Sequence, residues 1–136
     1  MNKNQNYLVA IVDDDEGMRE AIKSLLASAG FMAESFSSAE EFLNSTRLSE
    51  TSCLILDVQM PGVNGLELQS QLDREHRRIP IIFITAHANQ EARSEAMRAG
   101  AVAFLEKPFS EESLMHALRS AHAGPENKNA QIHCLL

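Results

Sequence analysis

The chain has 136 residues, enough for one domain with a single sizeable core and too few for a second folded module. Hydrophobic residues make up 44% and charged residues 23%, a globular balance that argues against wholesale disorder. With a formal net charge of -7 and no run of Lys or Arg forming a basic stripe, direct binding of nucleic acid is disfavoured.

No apolar segment approaches the ~20 residues needed to cross a bilayer, and the start of the chain lacks a signal-peptide core. The protein is therefore expected in the cytoplasm and away from membranes. Cys53 and Cys134 show no metal-type spacing and read as reduced thiols.

Residues 7–12 form an apolar run that ends in Asp13-Asp14-Asp15, the pattern of a buried strand. Met18, Ala21, Ile22, Leu25, Leu26 and Ala29 then repeat at helical spacing, and Gly30 stops the helix. A weak second strand at 32–36 leads to Ser38 and Glu41, which have capping-box spacing ahead of a short helix with Phe42 and Leu43. Residues 45–52 read as polar connection. Leu54, Ile55 and Leu56 are too few for a helix, and Met60-Pro61-Gly62 breaks the run, so a third strand delivers Asp57 at its carboxyl end.

Asn64 and Glu67 cap the next helix, whose inward face is Leu68 and Leu72, and residues 74–78 make a solvated charged corner. A fourth strand starts at Ile79-Pro80 and ends in Thr85. Ala92, Ala96, Met97 and Ala99 give the following helix a thin apolar stripe, closed by Gly100, so it should be less firmly anchored than the first. Residues 101–105 form a fifth strand running into Glu106-Lys107-Pro108. Ser110 caps a last helix with Glu111 and Glu112 in its first turn, buried through Leu114, Met115, Leu118 and Ala121 and ended by Gly124-Pro125. The expected organisation is a tail over 1–6, a folded domain over 7–123 and a tail over 124–136, in which 126–136 carries no assigned structure. Strands alternating with helices imply an α/β fold of parallel strands, right-handed crossovers and helices on both faces.

In such a sheet the strand ends converge, and Asp13, Asp14, Asp57, Thr85 and Lys107 would share one edge, the edge at which open α/β sheets bind ligands. Two carboxylates ~4 Å apart repel by ~4 kcal/mol at an effective dielectric near ~20, so the cluster needs a cation or must take up protons. All-oxygen ligands suit Mg²⁺ or Mn²⁺, and the lack of neighbouring Cys or His argues against zinc. A metal beside an ammonium and a hydroxyl receives a phosphoryl group, and an Asp can attack it. Asp57, between Leu56 and Val58, is the candidate nucleophile. Asp15 reads more simply as a helix cap, and Met60 and Met97 as packing residues.

These motifs, Asp13-Asp14, Asp57 with Met60-Pro61-Gly62 and Asn64-Gly65, Thr85-Ala86 and Lys107-Pro108, come in an order that resembles the receiver domain of a bacterial two-component response regulator, over about residues 7–122. The resemblance implies a flavodoxin-like (βα)5 sheet with strand order 2-1-3-4-5. It implies that Asp57 takes phosphate from a phosphohistidine of a sensor histidine kinase or phosphotransfer protein. It further implies Mg²⁺ held by Asp14, Asp57 and the backbone carbonyl of Gln59, with Asp13 assisting, and Lys107 paired with Asp57.

Thr85 and Phe104 fall at the family's coupled switch positions, the second often a Tyr, so that here ring packing alone should operate. Gln59 and His87 fall where the family tunes how fast water reaches the acyl phosphate, and Lys107-Pro108 where it has a cis peptide. The face of the fourth helix, fifth strand and fifth helix should carry the change, to a partner or to a second copy in a homodimer. The wording around Phe104 and Ala39 is most similar to receivers with a LuxR-type helix-turn-helix output, which this sequence does not contain.

Rival readings are weaker. A flavodoxin-like FMN carrier needs a Ser/Thr-rich phosphate loop where three acids stand. A haloacid-dehalogenase-type hydrolase needs an Asp where Gln59 stands, and a receiver that has lost phosphorylation would lack one of the residues present. A stand-alone receiver and the receiver half of a longer DNA-binding regulator both fit.

Overall fold

The structure is a computed structural model that describes residues 7–122. The strands are β1 (Leu8–Val12), β2 (Met32–Phe36), β3 (Thr51–Asp57), β4 (Ile81–Thr85) and β5 (Ala103–Glu106). The helices are α1 (Glu16–Ser28), α2 (Ala39–Leu43), α3 (Gly65–Arg74), α4 (Gln90–Arg98) and α5 (residues 111–122). All strands are parallel in the order β2-β1-β3-β4-β5, the flavodoxin-like arrangement expected.

Alternation of side chains along each strand splits the core in two. Val12, Leu56 and Phe83 face Phe42 of α2, Leu68 and Leu72 of α3 and Ala96 of α4. Val9, Ile11, Ile55, Ile82 and Ile84 face Ile22 and Leu26 of α1 and Leu114 and Leu118 of α5. Burial on both faces is why β1 and β4 read as unbroken apolar runs. Cys53 lies wholly inside, and burial pushes its thiol up to about 12, so it is an inert packing residue. Cys134 and the tails at 1–6 and 124–136, including the Gly124-Pro125 stop, lie outside the described residues.

Several local expectations need correction. The stretch at 45–52 is not all connection: a 3-10 turn at Leu48–Glu50 feeds β3, which starts at Thr51. There Thr51 pairs with Leu8, and the Leu8 N–H donates to the Ser52 hydroxyl at 3.2 Å. β4 starts two residues past Ile79, although the Pro80 carbonyl still accepts from the Leu54 N–H at 2.9 Å, which a proline is able to do. β5 is shifted to Ala103–Glu106. Glu41 does not complete the expected box on Ser38. Its carboxylate accepts from the Ser37 N–H at 2.6 Å instead, while Ser38 still accepts from the Glu41 N–H.

Met60 is a packing residue, but Met97 is 40% exposed, because α4 turns only Ala96 fully inward. That helix is indeed thinly anchored. Its C-terminal turn is held by the buried Gln69 of α3, whose side-chain amide donates to the Ala96 carbonyl at 3.2 Å.

Candidate functional site

Register brings the candidate residues together. Val12 pairs with Leu56, Asp57 with Ile84 and Thr85 with Glu106, so the residues that leave these strands, Asp13, Asp57, Thr85 and Lys107, form one row at the carboxyl edge. Carboxylate oxygens of Asp13, Asp14 and Asp57 all lie within 4.8 Å of one another. Opposite ligands of an octahedral Mg²⁺ stand ~4.2 Å apart, so three acids at this spacing fit such an ion with little adjustment.

The acids differ in how they are held. Asp13 is wholly buried, and each of its polar atoms is engaged. Its N–H donates to the Phe36 carbonyl at 3.2 Å, and its carbonyl accepts from Arg19 Nη1 at 2.6 Å. Its Oδ1 accepts from the Asp15 N–H and its Oδ2 from Lys107 Nζ, both at 2.9 Å. Asp57 is 5% exposed; its Oδ1 accepts from the Gln59 N–H at 3.1 Å and its Oδ2 lies 3.5 Å from Lys107 Nζ. Asp14 is exposed, and its carboxylate makes no hydrogen bond among the described residues. Asp15 caps α1, accepting from the Gly17 N–H, and takes no part in the acid cluster.

Lys107 thus favours Asp13 over the Asp57 partner expected of it. Burial works against its ammonium, but the hydrogen bond to Asp13 and the two carboxylate charges outweigh that and hold it above the usual lysine range. Burial raises Asp57 from 3.8 to about 6, reinforced by the Asp13 charge and only partly countered by the Gln59 N–H and Lys107.

A carboxyl raised on folding binds its proton more tightly in the native state. The resulting stabilisation is complete below the unfolded value and is lost as pH rises through the folded one. Metal-free protein is therefore expected to lose thermal stability as pH rises from about 4 through about 6. Calorimetric scans across that range check it, and a midpoint rising throughout would contradict it.

The hydroxyl of Thr85 is turned onto the backbone of His87, donating to its carbonyl and accepting from its N–H, both at 3.2 Å. Phe104 is buried against Phe83, ring centroids 6.1 Å apart, and Arg93 of α4 places its guanidinium 5.9 Å from the centre of the Phe104 ring. His87 and Gln59 are exposed at the rim, and the Lys107-Pro108 peptide is cis.

Residues 9–119 match the response regulator receiver domain family. The chain belongs to that family. The response regulator protein TodT of Pseudomonas putida is 47% identical over 114 residues, which cover 84% of this chain and 50% of TodT. The transcriptional regulatory protein FixJ of Bradyrhizobium diazoefficiens is 38% identical over 126 residues, covering 91% of this chain and 62% of FixJ. The structure of the response regulator StyR superposes with a TM-score of 0.81 at 42% identity, over 95% of this chain and 66% of that one. The chain therefore spans about half the length of the curated relatives it matches.

Receiver domains are signalling domains, and among the described residues of this one no helix is long and apolar enough to cross a membrane. Three residues of this receiver escaped the sequence. Asn89 caps α4 by accepting from the Ala92 N–H at 3.0 Å, and the Asn followed three residues later by an apolar Ala was a usable signal. Gln69 and Arg19 left none, since both act through long side chains on backbone carbonyls, 27 and 6 residues away, that no spacing pattern announces.

Proposed function

We propose that this receiver accepts one phosphoryl group on Asp57 and relays its arrival through α4. The observation that carries the proposal is the convergence of a buried, cation-deficient carboxylate pair, an exposed third acid and one lysine ammonium on a single sheet edge. Asp14, Asp57 and the Gln59 carbonyl would hold Mg²⁺ (or Mn²⁺), with Asp13 assisting through its engaged carboxylate. The bound cation would neutralise equatorial phosphoryl oxygens and keep Asp57 ionised.

An oxygen of Asp57 attacks the phosphorus of a phosphohistidine on a sensor kinase or phosphotransfer protein. The new P–O bond forms as the P–N bond breaks, and the departing imidazole keeps the electron pair and takes up a proton. Lys107 then moves its hydrogen bond from Asp13 to a phosphoryl oxygen, and Thr85 releases the His87 backbone to donate to another. Water later cleaves the acyl phosphate, at a pace set by what Gln59 and His87 admit at the rim. Turnover is limited to this self-phosphorylation and self-dephosphorylation, in the cytoplasm.

Thr85 and Phe104 act as the switch. Because the Phe104 ring is already inward, the movable part is α4, which Arg93 latches to that ring and to the Phe104 carbonyl at 3.4 Å. The face of α4, β5 and α5 presents the change to a partner or to a second copy. FixJ is a transcriptional regulatory protein and TodT is twice as long as its matched part, which favours a transcription-regulating output for this receiver.

The test is intact-mass measurement after incubation with acetyl phosphate and Mg²⁺. The expected result is a gain of one phosphoryl group that chelator prevents; an unchanged mass would overturn the proposal.

A further inference from the structure

Arg19 of α1 reaches back six residues, and its Nη1 donates to the Asp13 carbonyl at 2.6 Å. That carbonyl belongs to the peptide unit whose other half is the N–H of Asp14. Planarity of the peptide means that restraining the oxygen restrains the plane, and with it the Asp14 N and Cα from which that side chain starts. The other two acids are oriented by their own contacts: Asp13 by Lys107 and the Asp15 N–H, Asp57 by the Gln59 N–H and Lys107. Asp14, exposed and making no side-chain hydrogen bond among the described residues, has no such orientation of its own. Arg19 is half-buried, and its charge also reaches Glu41, whose carboxyl sits below the usual range first through the Ser37 N–H and hydroxyl and then through Arg19.

We propose that Arg19 is a positioning residue for the divalent cation, setting the Asp14 carboxylate through the Asp13–Asp14 peptide plane. The inference rests on the metal-binding reading above and adds to it a residue that touches neither the metal nor the phosphate.

Two physical effects of removing Arg19 have opposite signs, which makes the inference decidable. Arg19 is a positive charge beside a cation site, so on electrostatics alone its loss should tighten metal binding. If orientation dominates, its loss weakens binding, as loss of outer partners at metal sites does by about 10-fold or more. Arg19 is still partly open to water, which screens its charge toward the cation. Orientation is therefore expected to win.

Mn²⁺ is the probe, titrated into the whole chain with the free ion followed by electron paramagnetic resonance. The expected result is that R19Q binds Mn²⁺ about 10-fold more weakly than the parent. R19K, which keeps both the charge and a donor, should recover most of that loss. R19Q binding as tightly as the parent, or more tightly, overturns the inference while leaving the metal-binding reading intact; a parent that binds no Mn²⁺ overturns both. A measurement on the parent guards against a variant that fails to fold: nuclear magnetic resonance of the Arg19 guanidinium should show slowed rotation about its Nε–Cζ bond, and free rotation overturns the inference.

Discussion

Asp57→Asn protein incubated with acetyl phosphate and Mg²⁺ is expected to gain no phosphoryl mass and, without metal at neutral pH, to melt at a higher temperature than its parent. Both outcomes come from one property of the site. Asn keeps the shape of Asp and an oxygen to accept the Gln59 N–H, so the turn after β3 survives. It loses the anionic oxygen that attacks phosphorus, and an amide oxygen does not substitute for a carboxylate as nucleophile.

It also removes the negative charge that burial and Asp13 disfavour, the cause that raises Asp57 to about 6. Lys107, already closer to Asp13 at 2.9 Å than to Asp57 at 3.5 Å, is left with one partner at full strength. Mg²⁺ should raise the midpoint of the parent and barely move that of the variant, because a ligand stabilises only the state that binds it. Paired scans with and without Mg²⁺, beside intact masses, check all of this. Phosphate on the Asn variant, or a variant less stable than its parent at neutral pH, would count against the assignment.

The sequence exposed the site more fully than it exposed the edges of the elements, and the reason is physical. Parallel pairing turns strand ends into a row, so the short motifs at the ends of β1, β3, β4 and β5 locate the residues that meet, whatever the register within each strand. Where an element begins depends on pairing that no local pattern announces. Thr51 and Ser52 read as loop, yet both belong to β3, because β1 lies beside them.

The end of α3 shows the same limit. The position after its cap is left-handed in the structure and held by His76 at φ 60, where Gly30 and Gly100 mark the ends of α1 and α4. A helix stop written with histidine looks like one more residue of a charged corner. The Met97 assignment failed because the stripe of α4 is so thin that its neighbour Ala96 takes all of the full burial. The preference of Lys107 for Asp13 was also out of reach, since it turns on a 2.9 Å against a 3.5 Å approach inside one pocket.

Gly65→Ala should be the most damaging single methyl in this domain, and the contrast with Gly17→Ala isolates why. At residue 65 an added Cβ would stand 2.5 Å from the Asp57 carbonyl oxygen and 3.0 Å from the Val58 Cα, both backbone atoms that no rotamer change moves aside. The same residue donates its N–H to the Val58 carbonyl at 2.9 Å, which is how the first turn of α3 is drawn against the end of β3. Relief requires the helix to back away from the strand or the strand to shift with Asp57 on it. Overpacking of this kind costs ~2–3 kcal/mol. If the relief moves the carboxylate by about 1 Å, phosphorylation slows on the order of 10²-fold.

Gly17, inside α1, would place its Cβ 3.4 Å from Asp15 Oδ1, an ordinary contact, so alanine there should stabilise by up to ~1 kcal/mol through lower backbone entropy in the unfolded chain. Denaturant midpoints and the rate of mass gain from acetyl phosphate distinguish the two. The expected pattern is opposite signs in stability, with the rate lost only at residue 65; a Gly65→Ala protein with parental midpoint and rate would show that α3 does not press against the phosphoacceptor strand.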